Sequence, residues 1–297
     1  MSEPYLTDEA EGENWVLWLG DSCERMTTIP DESVDLSVYS PPFASLFTYS
    51  PSERDLGNSA TRDEFLDHYS FIIRENLRIT KPGRICCVHV QQLTTTKVTH
   101  GYTGLTDFRG EVIKAYLDAG WIFHGEVTVN KDPQAQAIRT KAQALMFVTK
   151  NRDSAMTRPA LADYLLLFRK PGENQTPIKN DVSNDEWIDW AQPVWWDIKE
   201  TNTLNVRVAR EEADERHICP LQLDFIERCV RLWSNKGETV FSPFAGIGSE
   251  IWVARKLGRG GFGIELKPSY WRTAVDNLRD LDLHLSHEGL FDMNGAH

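Results

Sequence analysis

The sequence predicts an α/β fold, a single mostly parallel sheet with helices on both faces. Three observations predict it. Apolar strand-like runs alternate with helix-period segments over residues 14–130 and again over 217–280. A glycine-rich turn in "FSPFAGIGSE" carries a strand-like run into a helical one, the place where open α/β sheets bind ligands. Between the two regular regions, residues 131–216 lose the alternation and read as one inserted segment.

The elements follow in order. Residues 1–13 are acidic and lack an apolar period, so a flexible tail is expected. "WVLWLGDS" and "VDLSVYS" read as strands joined by a short helix near "CERMTTIP". In "RDEFLDHYSFIIRENLRIT" the apolar residues Phe65, Tyr69, Ile72, Ile73 and Leu77 keep a helical period, and Pro82-Gly83 ends it. "RICCVHV" is a buried strand; "GEVIKAYLDAG" is a helix closed by Gly120, and "WIFHGEVTV" the next strand. Regularity returns with a helix in "LQLDFIERCVRLWS", a strand in "ETVFSPF", a helix in "SEIWVARKLG" and a strand in "GFGIEL". "PSYWRTAVDNLRDL" is a helix opened by proline, and residues 281–297 are expected to be a C-terminal tail.

Composition narrows the function. Of 297 residues, 41% are hydrophobic and 26% charged, which fits an ordinary globular chain with a sizeable core. No apolar run of about 18 residues exists, no basic-then-apolar leader opens the chain, and a cytoplasmic protein without membrane contact is expected. The five cysteines show no C-x-x-C spacing, so reduced thiols and no metal site are expected. His89 and His124, in apolar strand runs, read as core histidines. A net charge of −12 argues against a protein coated in nucleic-acid-binding surface. A local basic face remains, since residues 131–180 hold nine Lys or Arg against four acids. "WIDWAQPVWWDI" holds four tryptophans among acids, a composition that suits packing better than base stacking.

Two motifs carry chemistry. "YSPPF" leaves the strand "VDLSV" as a stiff hook, because paired prolines fix φ and remove two backbone donors. In the glycine turn, Gly246 and Gly248 permit close approach of a ligand, and Glu265 ends the next strand 19 positions beyond Gly246, where a carboxylate gripping ribose hydroxyls is expected about 20 positions on. Ile251 stands where the dinucleotide fingerprint has its third glycine, which tilts the reading from NAD toward another ribose-bearing cofactor.

With these motifs in place, "HICPLQLDFIERCVRLWSNKGETVFSPFAGIGSEIWVARKLGRGGFGIELKPSYWRTAVDNL" resembles the cofactor half of S-adenosylmethionine-dependent DNA amino-methyltransferases, and "LGDSCERMTTIPDESVDLSVYSPPF" resembles their catalytic half. The catalytic motif precedes the cofactor loop, the permuted order of the β class, often carried by phages and prophages. The resemblance implies a Rossmann-like methyltransferase sheet with a catalytic half at 14–130, a target-recognition segment at 131–216 and a cofactor half at 217–280. It implies that Ser40, Pro41, Pro42 and Phe43 hold a flipped base. It implies that Ser242, Pro243, Phe244, Ala245, Gly246 and Gly248 line S-adenosylmethionine, that His217, Cys219 and Pro220 back its methionine moiety, that Glu265 takes the ribose and Asp21 the adenine. The ordinary alternative for Asp21 is a helix N-cap. The family usually has Asp at the position of Ser242, and "GSE" replaces the usual "GTT". Asn130, Lys131, Arg139, Lys141, Lys150 and Arg152 are the expected DNA contacts, on duplex DNA, and a homodimer is compatible with the family. Ser40 in the first position of the hook resembles enzymes that methylate cytosine N4 rather than adenine N6. Methylation of RNA or a protein amide, and non-catalytic DNA or nucleotide binding by a decayed site, stay open as alternatives.

Overall fold

The computed structural model describes residues 5–42, 62–204 and 220–294. Its strands are β1 (Asp8–Gly12), β2 (Trp15–Leu19), β3 (Val34–Tyr39), β4 (Thr80–Gln91), β5 (Leu93–Thr95), β6 (Gly104–Thr106), β7 (Ile122–Val129), β8 (Asp163–Arg169), β9 (Val194–Trp195), β10 (Thr239–Ser242) and β11 (Gly260–Glu265). The helices are α1 (Ser22–Arg25), α2 (Arg62–Ile79), α3 (Lys97–His100), α4 (Phe108–Asp118), α5 (Pro133–Thr140), α6 (Phe147–Arg152), α7 (Asn184–Trp190), α8 (Leu223–Trp233), α9 (Ser249–Lys256) and α10 (Pro268–Asn294). The main sheet runs β1-β2-β11-β10-β3-β4-β8-β7-β9, and β5 pairs with β6 apart from it. From β2 to β4 all pairs are parallel. At the flanks β1 and β8 run antiparallel to their neighbours.

The apolar periods seen in the sequence are what bind the layers. Phe65, Tyr69, Ile72 and Ile73 of α2 and Phe108, Val112 and Tyr116 of α4 bury themselves on one face of the sheet. Phe225, Ile226, Cys229 and Val230 of α8, with Val253 and Ala254 of α9, cover the other, and Ile251 packs with Ala274 and Leu278 of α10 beside them. β3 is followed by α2 and then β4, while β10 is followed by α9 and then β11, so neighbouring β3 and β10 send their chains to opposite faces. Their carboxyl ends form the topological switch point, where such sheets bind ligands.

Four expectations are corrected. Residues 8–12 are not a loose tail: Gly12 and Trp15 close a tight hairpin through Asn14, at φ +59°, and Ala10 pairs with Leu17. Residues 281–294 are not a tail either, because α10 continues through them. Asp282 accepts a 2.7 Å bond from Trp15 Nε1 and pairs with Arg255 Nε at 3.0 Å, which holds that helix to β2 and α9. Residues 131–216 are not wholly an insertion, since "DYLLLFR" is β8, zipped between β4 and β7. Finally, His124 is exposed, on the outer stretch of β7 where the strand slips register near Gly125. The tryptophans of 187–196 divide: Trp195 is core and Trp190 lies under Arg228 and Arg231, while Trp187 and Trp196 are exposed. Among the described residues no helix is long and apolar enough to cross a membrane.

Candidate active site

β3 ends at Tyr39, whose ring is anchored inside the core against Phe244 at 5.7 Å and whose hydroxyl meets that of Tyr116. The next three residues, Ser40, Pro41 and Pro42, leave the sheet with no helical or strand pairing. Phe43 lies outside the described residues. Ser40 Oγ stands 3.1 Å from His89 Nδ1 and 3.2 Å from the His89 carbonyl oxygen. His89 Nε2 lies 3.0 Å from Asp163 Oδ2, which also receives Lys131 Nζ at 2.7 Å, and Gln91 Nε2 donates to Asp163 Oδ1 at 2.9 Å. Burial pushes the Asp163 carboxyl up, but His89 and Lys131 outweigh it and hold it below the usual carboxylate range.

The glycine turn sits on the neighbouring strand. Phe241 of β10 pairs with Ser37 of β3, so Ser242 ends its strand level with Val38, two residues before Ser40, and the turn and the hook leave the same edge of the sheet on neighbouring strands. Glu265 shapes the turn, accepting from Gly246 N at 2.7 Å and from Lys267 N at 2.8 Å. Ser22 Oγ donates to the Pro243 carbonyl at 2.5 Å and ties the turn to α1. Gly246 takes φ +54°, and a Cβ built there meets nothing within 4 Å, so the turn presents an open face. Gly248, at φ +86°, is the N-cap of α9, and a Cβ there would come within 3.1 Å of Ala274. Phe244 is partly buried against Tyr39 and Tyr69, and Ala245 belongs to the core under α10.

Around this turn the chain buries polar groups that its own described residues do not satisfy. Ser242 Oγ and Ser249 Oγ have no hydrogen-bond partner there, with their residues 0% and 2% exposed. Glu250, 5% exposed, has no cation against it among the described residues, and burial pushes its carboxyl up to about 8, with the charge of Glu265 adding. Buried polar groups are normally paired, so orphaned hydroxyls beside an open glycine face fit a polar ligand such as an amino-acid moiety. Asp21 performs the ordinary role weighed for it, capping α1 by accepting from Cys23 N at 2.8 Å. It does so at the carboxyl end of β2, next to β11 and Glu265, and Gly20 N bonds the Glu265 carbonyl at 2.9 Å. Pro220 precedes Leu221 at the foot of α8; His217 and Cys219 lie outside the described residues.

The expected DNA contacts separate. Lys131 is corrected: it is 5% exposed and ion-paired to Asp163, so it faces the interior. Asn130 closes β7, its N–H bonded to the Trp195 carbonyl at 2.9 Å. Lys141, Lys150 and Arg152 are exposed on the stretch that leaves the sheet at Lys131 and returns at Asp163, and the side chain of Arg139 lies outside the described residues. Sequence reasoning missed Asp163 and Gln91, and took His89 for a packing residue. The available signal was the aspartate opening the apolar run "DYLLLF".

A model of the N6/N4 DNA methylase family, described as DNA methylase, matches residues 34–276. The chain is 31% identical over 116 residues to the type II methyltransferase M.BglI of Bacillus subtilis; that alignment covers 39% of this chain and only 30% of M.BglI. Its fold is similar to that of a putative DNA modification methylase of Thermus thermophilus, TTHA0409, solved in complex with S-adenosyl-L-methionine, with a TM-score of 0.69 and 22% identity over 91% of this chain and 94% of that one. It is also similar to the cytosine-N4-specific PvuII DNA methyltransferase, with a TM-score of 0.64 and 18% identity over 91% of each chain.

Proposed function

The chain belongs to the N6/N4 DNA methylase family, and on that premise we propose that it transfers a methyl group from S-adenosylmethionine to an exocyclic amine in duplex DNA, cytosine N4 being favoured over adenine N6. The observation that carries this reading is the adjacency of two motifs: the hook at Ser40 and the open turn at Gly246 end neighbouring parallel strands. One supplies a place for an amine, the other a place for a methyl donor. S-adenosylmethionine supplies an electrophilic methyl on its sulfonium, whose C–S bond breaks as the amine lone pair forms the new N–C bond and sulfur leaves as a thioether.

The residues of the turn fit that donor. Gly246 leaves open space for its methionine portion while Gly248 lets α9 begin close against Ala274 of α10, Ser242 and Ser249 offer hydroxyls that lack partners among the described residues, and Glu265 and Asp21 stand where its ribose and adenine would lie. An exocyclic amine is a poor nucleophile because its lone pair is conjugated into the ring. A hydrogen-bond acceptor beside its N–H favours sp³ geometry and frees that pair. Ser40 suits this role: both of its close neighbours, His89 Nδ1 and the His89 carbonyl, are able to take its hydroxyl proton, which leaves Oγ lone pairs for the cleft. Pro41 and Pro42 keep the hook rigid, so positioning and polarisation supply the rate. Reaching the hook requires the base to swing out of the duplex.

DNA contact is assigned to residues 132–162, a narrower segment than the sequence implied. Both feet of this excursion, Lys131 and Asp163, stand in the Ser40 network. It exposes Lys141, Lys150 and Arg152 to phosphates, and Ile138, Phe147, Val148 and Met156 beside them to base edges. The test is transfer of labelled methyl groups to duplex DNA, single-stranded DNA, RNA and protein in parallel. Duplex DNA as the best acceptor supports the proposal; label only in RNA or protein overturns it.

A further inference from the structure

His89 is buried, and both of its ring nitrogens face polar groups. β4 pairs antiparallel with β8 so that Gln91 faces Asp163, which brings the Asp163 carboxylate within 3.0 Å of His89 Nε2. The Phe225 ring of α8 meets the imidazole edge-on at 5.3 Å. Among the described residues the charged groups around it are Asp163 from β8 and Lys131 from the end of β7, and Ser40 lies on its other nitrogen. The 3.0 Å contact is a charge approach rather than an aligned hydrogen bond, and a carboxylate that close favours a proton on Nε2 over a bare lone pair, which it would repel. Lys131 and Gln91 fix the carboxylate in turn. In the neutral ring Nδ1 is then an acceptor, and it points at Ser40 Oγ.

We propose that His89, oriented by Asp163, is a positioning residue that holds the Ser40 hydroxyl proton away from the cleft and accepts it as the amine loses its own. The inference rests on the reading of Ser40 as the acceptor for the amine. The protons balance: one passes from the methylated nitrogen to Ser40 Oγ, the hydroxyl's original proton passes to Nδ1, and Ser40 ends as it began. The imidazolium so formed keeps its Nε2–H on Asp163 and releases the Nδ1 proton to solvent after product leaves. A histidine that merely packed against Phe225 would need neither a carboxylate on one nitrogen nor a hydroxyl on the other.

Two measurements test this. In the full chain with ¹⁵N-labelled histidine, without DNA or cofactor, the imidazole signal that shifts in Ser40→Ala belongs to His89. In the neutral ring a proton on Nε2 and none on Nδ1 is expected; a neutral ring that carries its proton on Nδ1 overturns the inference. In single turnovers on duplex DNA, His89→Asn keeps an acceptor for Ser40 but cannot take its proton. The rate is expected to fall by about 10²-fold, the lower end for lost proton transfer, while S-adenosylmethionine affinity in calorimetry is unchanged. Transfer by both proteins at equal rates overturns the inference alone. No transfer by the wild type to any nucleic acid overturns the functional reading on which it rests, and the tautomer measurement stands apart from that outcome.

Discussion

Glu250→Gln should stabilise the protein, and more so as pH rises. Glu250 opens α9 beside the glycine turn with no cation against it among the described residues, and burial pushes its carboxyl from 4.5 up to about 8. A carboxyl raised in the folded state favours folding in its protonated form. Its contribution is complete below the unfolded value and is lost as pH climbs from there through the folded one. With about 1.4 kcal/mol per pH unit, the loss amounts to about 1 kcal/mol at pH 5 and about 3 kcal/mol at pH 7. Glutamine keeps the shape and carries no charge to desolvate, so it avoids this loss. At about 2–4 °C per kcal/mol for a chain of this size, the variant should melt roughly 6–12 °C above wild type at pH 7 and within about 4 °C of it at pH 5. Thermal unfolding without ligand between pH 5 and pH 8 measures both. A gap that does not widen with pH would refute the reasoning.

Lys131→Met should unfold more easily by about 3–5 kcal/mol, the loss expected when one partner of a buried ion pair is removed, while the salt dependence of DNA binding stays as in wild type; a changed salt slope would restore Lys131 to the DNA surface. Replacing Lys141, Lys150 and Arg152 by glutamine should weaken DNA binding and flatten the slope of log affinity against log salt by about 0.9 per lost phosphate contact, with S-adenosylmethionine binding intact. Fluorescence anisotropy at several salt concentrations checks both. Gly246→Asp adds about 1–2 kcal/mol of left-handed backbone strain and sets a carboxylate in the open face of the turn, so calorimetry should detect no S-adenosylmethionine binding to a folded protein.

The parts legible in the sequence were those whose signal is local. The period of Phe65, Tyr69, Ile72 and Ile73 marks α2 because one face of one helix is buried, and the glycines at 246 and 248 mark a turn that needs positive φ. The rest depends on distant pairing. The strand "DEAEG" has one buried side chain, Ala10, and exists because β2 offers a partner across a two-residue turn. β8 is apolar enough to be a strand, yet only its place between β4 and β7 makes it part of the sheet. That same pairing carries Asp163 to His89, 74 positions away, so no spacing rule could have joined them. Lys131 shows the limit of counting charge: basicity does not tell a phosphate contact from a buried partner for a carboxylate.

The measurement that bears most directly on the central claim is mass analysis of nucleosides from the DNA of cells expressing the protein, compared with cells expressing Gly246→Asp. The account predicts N4-methyl-2′-deoxycytidine in the first and its absence in the second. N6-methyl-2′-deoxyadenosine in its place would contradict the choice of base drawn from Ser40, and no methylated exocyclic amine in either sample, with the protein folded and binding S-adenosylmethionine, would contradict the account itself.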